Sequence, residues 1–361
     1  MVAHLCCSVD AGYFLKRVKE EFPEEKIIGY FYDPNIHPYS EFKLRSLDTE
    51  RICKKLGVEF VEGEYDYVGW LRAVRGKENE PEKGLRCGVC FDYSLEATAK
   101  FAVNIGDEKI TTSLLMSPMK SHEQLKKMGE VIKRKYGITF YAPDFRKKGG
   151  TQRQQDYARK NMAYRQDYCG CLYGIWAQKK DKGIIDELIS PVNAQILPSS
   201  IEEKLEIYKK RIVYEEKGID YKILKENFLN YRLLRGYVKC KTQNGDWKTE
   251  NSYILFYSYL QRFARGKIEF VKDGIGYLNR MQVIFSDVDK FNAVLNKKYK
   301  NVTEIIKNPP TVEEEIFFRK KITNSEYSLS PIIIVDELKE KYEVDIKAEV
   351  YPDVREILIK F

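Results

Sequence analysis

In the first half of the chain, short apolar runs alternate with longer stretches whose apolar residues recur at helical spacing. The pattern predicts strands at 2–6, 26–32, 58–62, 109–113 and 139–141, and helices at 12–22, 40–56, 88–104 and 121–136. Strands separated by helices of this length imply an α/β fold, a doubly wound parallel sheet covered on both faces. In such sheets the loops beyond the carboxyl ends of the strands converge on one crevice. The run "HLCCSVDAGYFL" puts the adjacent Cys6 and Cys7 at such an end. Neighbouring strand residues face opposite sides of the sheet, so these thiols act together only if the backbone turns there.

The pattern changes after Lys179. "IEEKLEIYKKRIVYEEKGIDYKILKENFL" reads as charged amphipathic helices, and mixed short segments such as "KIEFVKD" and "PIIIVDELKEKYEVDIKAEVYPD" follow. "KNPP" at 307–310 marks a turn. A boundary at the "KKDKG" stretch gives a first domain at 1–180 and an appended α+β C-terminal module at 181–361 with no internal repeat.

At 361 residues, 43% of them hydrophobic, the chain is long enough for two packed cores. It has no signal-peptide pattern and no apolar run approaching the roughly 20 residues that span a bilayer. A cytoplasmic protein without a membrane partner is expected, and there structural disulfides are rare. The net charge of +8 is concentrated: residues 120–180 hold 15 Lys and Arg against 5 Asp and Glu. A Lys-rich run is most often a solvated helix face, but with Tyr136, Tyr157, Tyr164 and Tyr168 it also suits an RNA partner.

Six of the eight cysteines form tight pairs: Cys6 with Cys7, Cys87 with Cys90 in "LRCGVC", and Cys169 with Cys171 in "YCGCLYG". Three pairs in one cytosolic α/β domain point to metal or redox chemistry. Four thiolates suit zinc or an iron–sulfur cluster, and only the cluster supplies electrons. Cys53 and Cys240 stand alone and read as small buried hydrophobes.

The segments "CCSVDAG", "GYFYDPNIHPYSEF", "RCGVCFDYSLEATA", "TTSLLMSPMK", "YAPDFRKKGG" and "YRQDYCGCLYG", in this order, resemble the QueH-type epoxyqueuosine reductases of bacterial tRNA modification. The resemblance covers roughly residues 3–178 and leaves out the C-terminal module. It implies a fold of the adenine nucleotide alpha hydrolase type and cobalamin-independent reduction of epoxyqueuosine in tRNA to queuosine. It places a 4Fe-4S cluster on Cys6, Cys7, Cys87 and Cys90. It makes Cys169 and Cys171 a redox-active pair, closing as a disulfide, or part of a second site for a mononuclear iron that Asp10 would complete. The partners it implies are tRNA carrying epoxyqueuosine and an electron donor of unstated identity.

The reaction consumes two electrons and two protons and expels water, so the site needs proton donors. Asp10, Asp144, His37 and Tyr39 are the candidates, although a lone loop histidine such as His37 is more often a surface residue. An ATP-using tRNA thiolase would need a Ser-Gly-Gly-x-Asp-Ser phosphate loop where this chain has "CCSVDAG". A zinc- or cluster-stabilised tRNA-binding module without catalysis, or another cluster-dependent tRNA-modifying enzyme, is the alternative. "SPMK" at 117–120 reads as a strand-to-helix turn in preference to a nucleophilic Ser-x-x-Lys.

Overall fold

The computed structural model describes all residues except 118–120, 182–184, 189–193, 243 and 279–282. Most of "SPMK" and the end of "KKDKG" therefore lie outside the described residues. The chain forms two compact units, one of Met1–Ile189 with Lys204–Tyr221 and Phe361, the other of Ser190–Glu203 with Lys222–Lys360.

In the first unit, β1 (Val2–Leu5), β2 (Ile28–Phe31), β3 (Glu59–Glu62), β4 (Lys109–Thr112) and β5 (Thr139–Phe140) form a five-stranded sheet. Its order is β3-β2-β1-β4-β5 and every pairing is parallel, with Val2 opposite Ile28 on one side and Ile110 on the other. The helices are α1 (Ser8–Glu21), α2 (Tyr39–Leu56), α3 (Tyr67–Ala73), α4 (Leu85–Asn104), α5 (His122–Tyr136), α6 (Gly150–Lys160) and α7 (Leu172–Lys179). The strand order reverses between β1 and β4, so the crevice falls beyond their carboxyl ends, at Cys6 and Ser113.

The core gathers the inward residues of the strands and of α1 and α4. Val2, Leu5, Phe14, Leu15, Leu95 and Ile110 are fully buried, each contributing about 2 kcal/mol of transfer free energy. Alpha-helix α6 packs on α1 closely enough that a Cβ on Gly12 would come within 2.5 Å of the Tyr157 ring. This close approach is why "VDAG" carries a glycine mid-helix.

Residues 204–221, whose charge pattern reads as part of the C-terminal module, belong to the first unit. They include most of α8 (Ile201–Glu216). Arg211, fully buried, donates to Asp48 Oδ1 at 3.3 Å and to the Asn161 carbonyl at 2.9 Å. Arg51 donates to the same carboxylate oxygen at 2.7 Å.

The second unit is built on an eight-stranded mixed sheet of order β7-β6-β13-β9-β10-β11-β12-β8. Its strands are β6 (Tyr221–Lys241), β7 (Trp247–Thr249), β8 (Ser252–Ile254), β9 (Ala264–Lys272), β10 (Ile275–Leu278), β11 (Val283–Asp287), β12 (Ile332–Val335) and β13 (Lys341–Lys360). Helices α9 (Val288–Leu295), α10 (Val302–Lys307) and α11 (Val312–Thr323) complete it. An α+β module is what the sequence predicts, but the helix expected over 201–229 stops at Glu216. Gly218, with φ +63°, turns the chain, and a long strand follows. "KNPP" joins α10 to α11. Among the described residues no helix is long and apolar enough to cross a membrane.

Candidate active site

Strand β1 ends at Leu5, and α1 begins at Ser8 with Cys7 as its N-cap. The turn that lets neighbouring thiols cooperate is therefore present. Cys6 Sγ lies 4.0 Å from Cys7 Sγ and 3.6 Å from Asp10 Oδ2. Asp10 sits in the first turn of α1, so its carboxylate reaches back over the strand end. The ligand atoms of Cys6, Cys7 and Asp10 all fall within 4.8 Å of one another. Ser113, at the end of β4, accepts the Cys6 backbone N–H at 3.2 Å, with its Oγ 3.5 Å from Cys6 Sγ. Gln154 of α6 donates to Asp10 Oδ1 at 2.5 Å, which fixes the carboxylate from the far side.

A second thiol group meets on the other wall. Cys90 lies on α4, and Cys171 packs with Trp70, Val74 and Cys90 in one apolar cluster. Cys171 is the N-cap of α7, where backbone N–H groups of Tyr173 and Gly174 favour its thiolate. Between the paired cysteines, Gly170 has φ +113°, and a Cβ there would stand 2.8 Å from Ile36 Cγ1. Only glycine fits, which accounts for "CGC". His37 donates its backbone N–H to the Gly170 carbonyl at 2.8 Å. Arg45 donates to the Cys169 carbonyl at 3.0 Å and the Tyr168 carbonyl at 3.1 Å. Arg45 is itself held by the buried Glu41 at 2.6 Å.

The two groups share a cavity of about 280 Å³, lined by Cys6, Asp10, Asp33, Asn35, Cys90 and Cys169 among others. For three of the thiols the balance of burial and local charge disfavours the anion. The Cys6 thiol is pushed well above its ordinary value, first by its hydrogen bond with Cys7, then by burial and the negative field of Asp10 and Asp33. Burial does the same to Cys90, with the field of Cys169 added. Burial also raises Cys171. Trp70 is fully buried, and its indole Nε1–H is turned to the Cys90 thiol, where it favours the thiolate against the effect of burial.

Of the residues expected from sequence, Cys6, Asp10, Cys90 and Cys169 line the cavity. Cys7 is buried behind Cys6, and Cys171 behind Cys90. Cys87 is not in the lining, and its sulfur accepts the Lys83 backbone N–H at 3.3 Å. All eight cysteines are thiols, so the Cys169–Cys171 disulfide implied by the resemblance is not formed. Cys53 and Cys240 are buried as expected. His37, Tyr39 and Asp144 are outside the lining; His37 stacks on Tyr67 with centroids 5.7 Å apart. Tyr164 and Tyr168 are each only 5% exposed, because their hydroxyls bond Glu41 and the His37 carbonyl, so neither ring is open to a base. Sequence reasoning misses Asp33, Asn35 and Gln154. "YDPN" at the end of the second strand is the signal for the first two. Gln154 carries no signal in the sequence, since only the packing of α6 on α1 brings it to Asp10.

Comparison with known proteins places this geometry. The model of the family described as "Epoxyqueuosine reductase QueH" matches residues 1–177. The chain is 38% identical over 360 residues to the epoxyqueuosine reductase QueH of Helicobacter pylori, covering 94% of this chain and 95% of that protein. It is 34% identical over 176 residues to the protein of the same name from Haemophilus influenzae, covering 48% and 71%. With that of Thermotoga maritima it shares 31% identity over 184 residues, covering 50% and 92%.

Proposed function

Because the chain belongs to the epoxyqueuosine reductase QueH family, we infer that it is an oxidoreductase converting epoxyqueuosine in tRNA to queuosine. The reaction takes two electrons and two protons, turns the epoxide into an alkene and releases its oxygen as water. The observation that carries this reading is a cavity lined by thiols and carboxylates at the switch point of a parallel sheet. Such a sheet and order support an adenine nucleotide alpha hydrolase type of fold. A catalytic iron–sulfur domain in the first unit and an α+β module in the second follow as the division of labour.

The donor set fits a bound metal group. Cys6, Cys7 and Asp10 bring two sulfurs and a carboxylate oxygen within 4.8 Å of one another, a donor set suited to a metal ion. The buried Trp70 N–H is turned to the Cys90 sulfur and would support it as an anionic ligand. On this reading Cys6, Cys7, Cys87 and Cys90 hold a 4Fe-4S cluster. Cys169 and Cys171 serve as a dithiol–disulfide carrier or, with Asp10, hold a mononuclear iron. When bound, these groups supply single electrons and a Lewis acid, with no need for cobalamin.

The chain's own residues do the rest. Asp10, steadied by Gln154, holds charge at the Cys6 wall. Asp33 is 7% exposed and lines the cavity with Cys6 and Cys90, a position from which a carboxyl group can relay a proton to the departing oxygen. His4, fully buried with its pKa lowered to about 4 by burial, is a neutral ring whose Nε2 lies 3.0 Å from the Tyr32 carbonyl and 3.7 Å from Asp33 Oδ2. It fixes the strand end beside Asp33. A tRNA substrate makes the cytoplasm the site of action, and an external electron donor completes each turnover. Formation of queuosine from epoxyqueuosine-containing tRNA by the anaerobically purified protein and a reductant tests the reading.

A further inference from the structure

The second unit carries a surface that the chemistry of the first does not use. Residues 222–272 hold 11 Lys and Arg against four Asp and Glu. Strand alternation sorts them by face. Val238 and Cys240 of β6, Ala264 of β9, and Tyr342 and Val344 of β13 enter the core. Tyr237, Lys239, Lys241, Arg265 and Lys267 therefore project from the opposite face. Strand β7 pairs with β6 so that Trp247 stands opposite Lys241. The Arg265 guanidinium lies 4.7 Å from the Trp247 ring centroid, and Lys239 Nζ lies 5.5 Å from that of Tyr237.

The charges on this face are layered. Arg235, 64% exposed, pairs at 2.7 Å with Asp345, which is 24% exposed. Arg265, 58% exposed, pairs at 3.2 Å with Glu343, which is 12% exposed. In these two pairs the carboxylates sit low against the sheet and hold the guanidinium groups outward, whereas Lys267 pairs at 3.5 Å with Glu340, which is 75% exposed. Here a partner meets cations interleaved with two aromatic rings, a combination complementary to phosphates and unpaired bases.

We propose that this face of β6, β7 and β9 binds the tRNA substrate. Phosphates lie on Arg235, Lys239, Lys241 and Arg265, and unpaired bases stack on Tyr237 and Trp247. The inference rests on the tRNA reading given above. It assigns a task to a unit beyond the family's match, which ends at residue 177. One nucleoside enters the cavity of the first unit, and a second contact with the same RNA raises its effective concentration there.

The test uses the full chain and epoxyqueuosine-containing tRNA under anaerobic conditions, titrated across a salt series. The pair Lys239→Glu and Lys241→Glu should weaken binding at least tenfold and lower the magnitude of the salt slope by about two. The milder pair Lys239→Gln and Lys241→Gln should lower the slope in the same direction, which guards against misfolding of the reversal. Tyr237→Leu should weaken binding about tenfold with little change in slope. Lys298→Glu with Lys300→Glu, the same charge change in the segment between α9 and α10, should leave affinity and slope near those of the unaltered chain. Face variants that bind like the unaltered chain, or a control that weakens binding as much, would overturn the proposal. A chain that makes queuosine while its face variants bind normally defeats this inference alone. A chain that binds tRNA through this face yet makes no queuosine defeats only the reading of the first unit.

Discussion

Asp10 Oδ2 lies 3.6 Å from Cys6 Sγ. The contact is local, four residues apart across a strand-to-helix turn, so the sequence itself pairs a carboxylate with the thiol that opens the cavity. Asp10→Asn keeps the shape and the bond from Gln154 can be re-formed, but the charge is gone. Activity should fall about 100-fold or more. Iron measured on the same variant divides two roles: a loss of about one atom per chain marks Asp10 as a ligand, while full iron marks it as a proton carrier. Wild-type activity would remove Asp10 from the site.

Cys87→Ala and Cys90→Ala should each abolish the broad iron–sulfur absorbance and turnover together, since a four-thiolate cluster loses a ligand in either. Cys87 is the sharper case because it lies outside the cavity lining. Full iron content in the Cys87 variant would contradict the ligand set.

Cys171→Ser separates the roles open to the "CGC" pair. As half of a redox couple, Cys171 leaves iron unchanged when replaced, and the variant fails in multiple turnover. As a ligand, it takes about one iron per chain with it while the cluster signal persists. A variant with full iron and full activity would show that the thiol is merely packed against Trp70.

Trp70→Phe keeps an aromatic side chain and removes the N–H turned to the Cys90 thiol. In the iron-loaded protein that hydrogen bond to a cluster sulfur stabilises the reduced form, so the variant's midpoint potential should fall by about 40 mV, the equivalent of about 1 kcal/mol for one electron. In the metal-free protein the smaller ring leaves a cavity at a fully buried position, and stability should fall by about 1 kcal/mol. An unchanged potential would mean that Trp70 does not face the cluster.

Asp48 ties α8 to the first unit. Burial raises its carboxyl pKa, but Arg51 and Arg211 outweigh burial and hold it below the ordinary value. A carboxyl with a lowered folded pKa contributes stability that is present above its unfolded value, near 3.8, and is lost as pH falls through the folded pKa. Arg211→Met should cost about 3–5 kcal/mol at neutral pH and shift acid unfolding to higher pH. Equal denaturant midpoints for the two proteins would show that the buried pair is not needed.

The sheet and most of the site were legible because their signals are local. Period-2 and period-3.6 patterns locate β1 to β5 within a residue or two, and the three cysteine pairs announce themselves by spacing. The start of α1 is missed by four residues because Cys7 and Ser8 lack helical periodicity, yet that start is what brings Cys6, Cys7 and Asp10 together. Asp33 and Gln154 escape because neither stands beside a cysteine in sequence, and only the packing of β2 and α6 around β1 brings them to the site. The strand from Tyr221 is hidden for another reason. Its charged residues continue the composition of α8 without a break, and a single glycine at 218 marks the change.

The central claim is the reaction. Incubating the anaerobically purified, iron-loaded protein with a chemical reductant and epoxyqueuosine-containing tRNA, then digesting to nucleosides and weighing them, tests it most directly. Queuosine, lighter than the substrate nucleoside by one oxygen, should form in amounts that exceed the enzyme and should vanish with Cys90→Ala. Epoxyqueuosine recovered intact from a preparation with its iron–sulfur absorbance in place would contradict it.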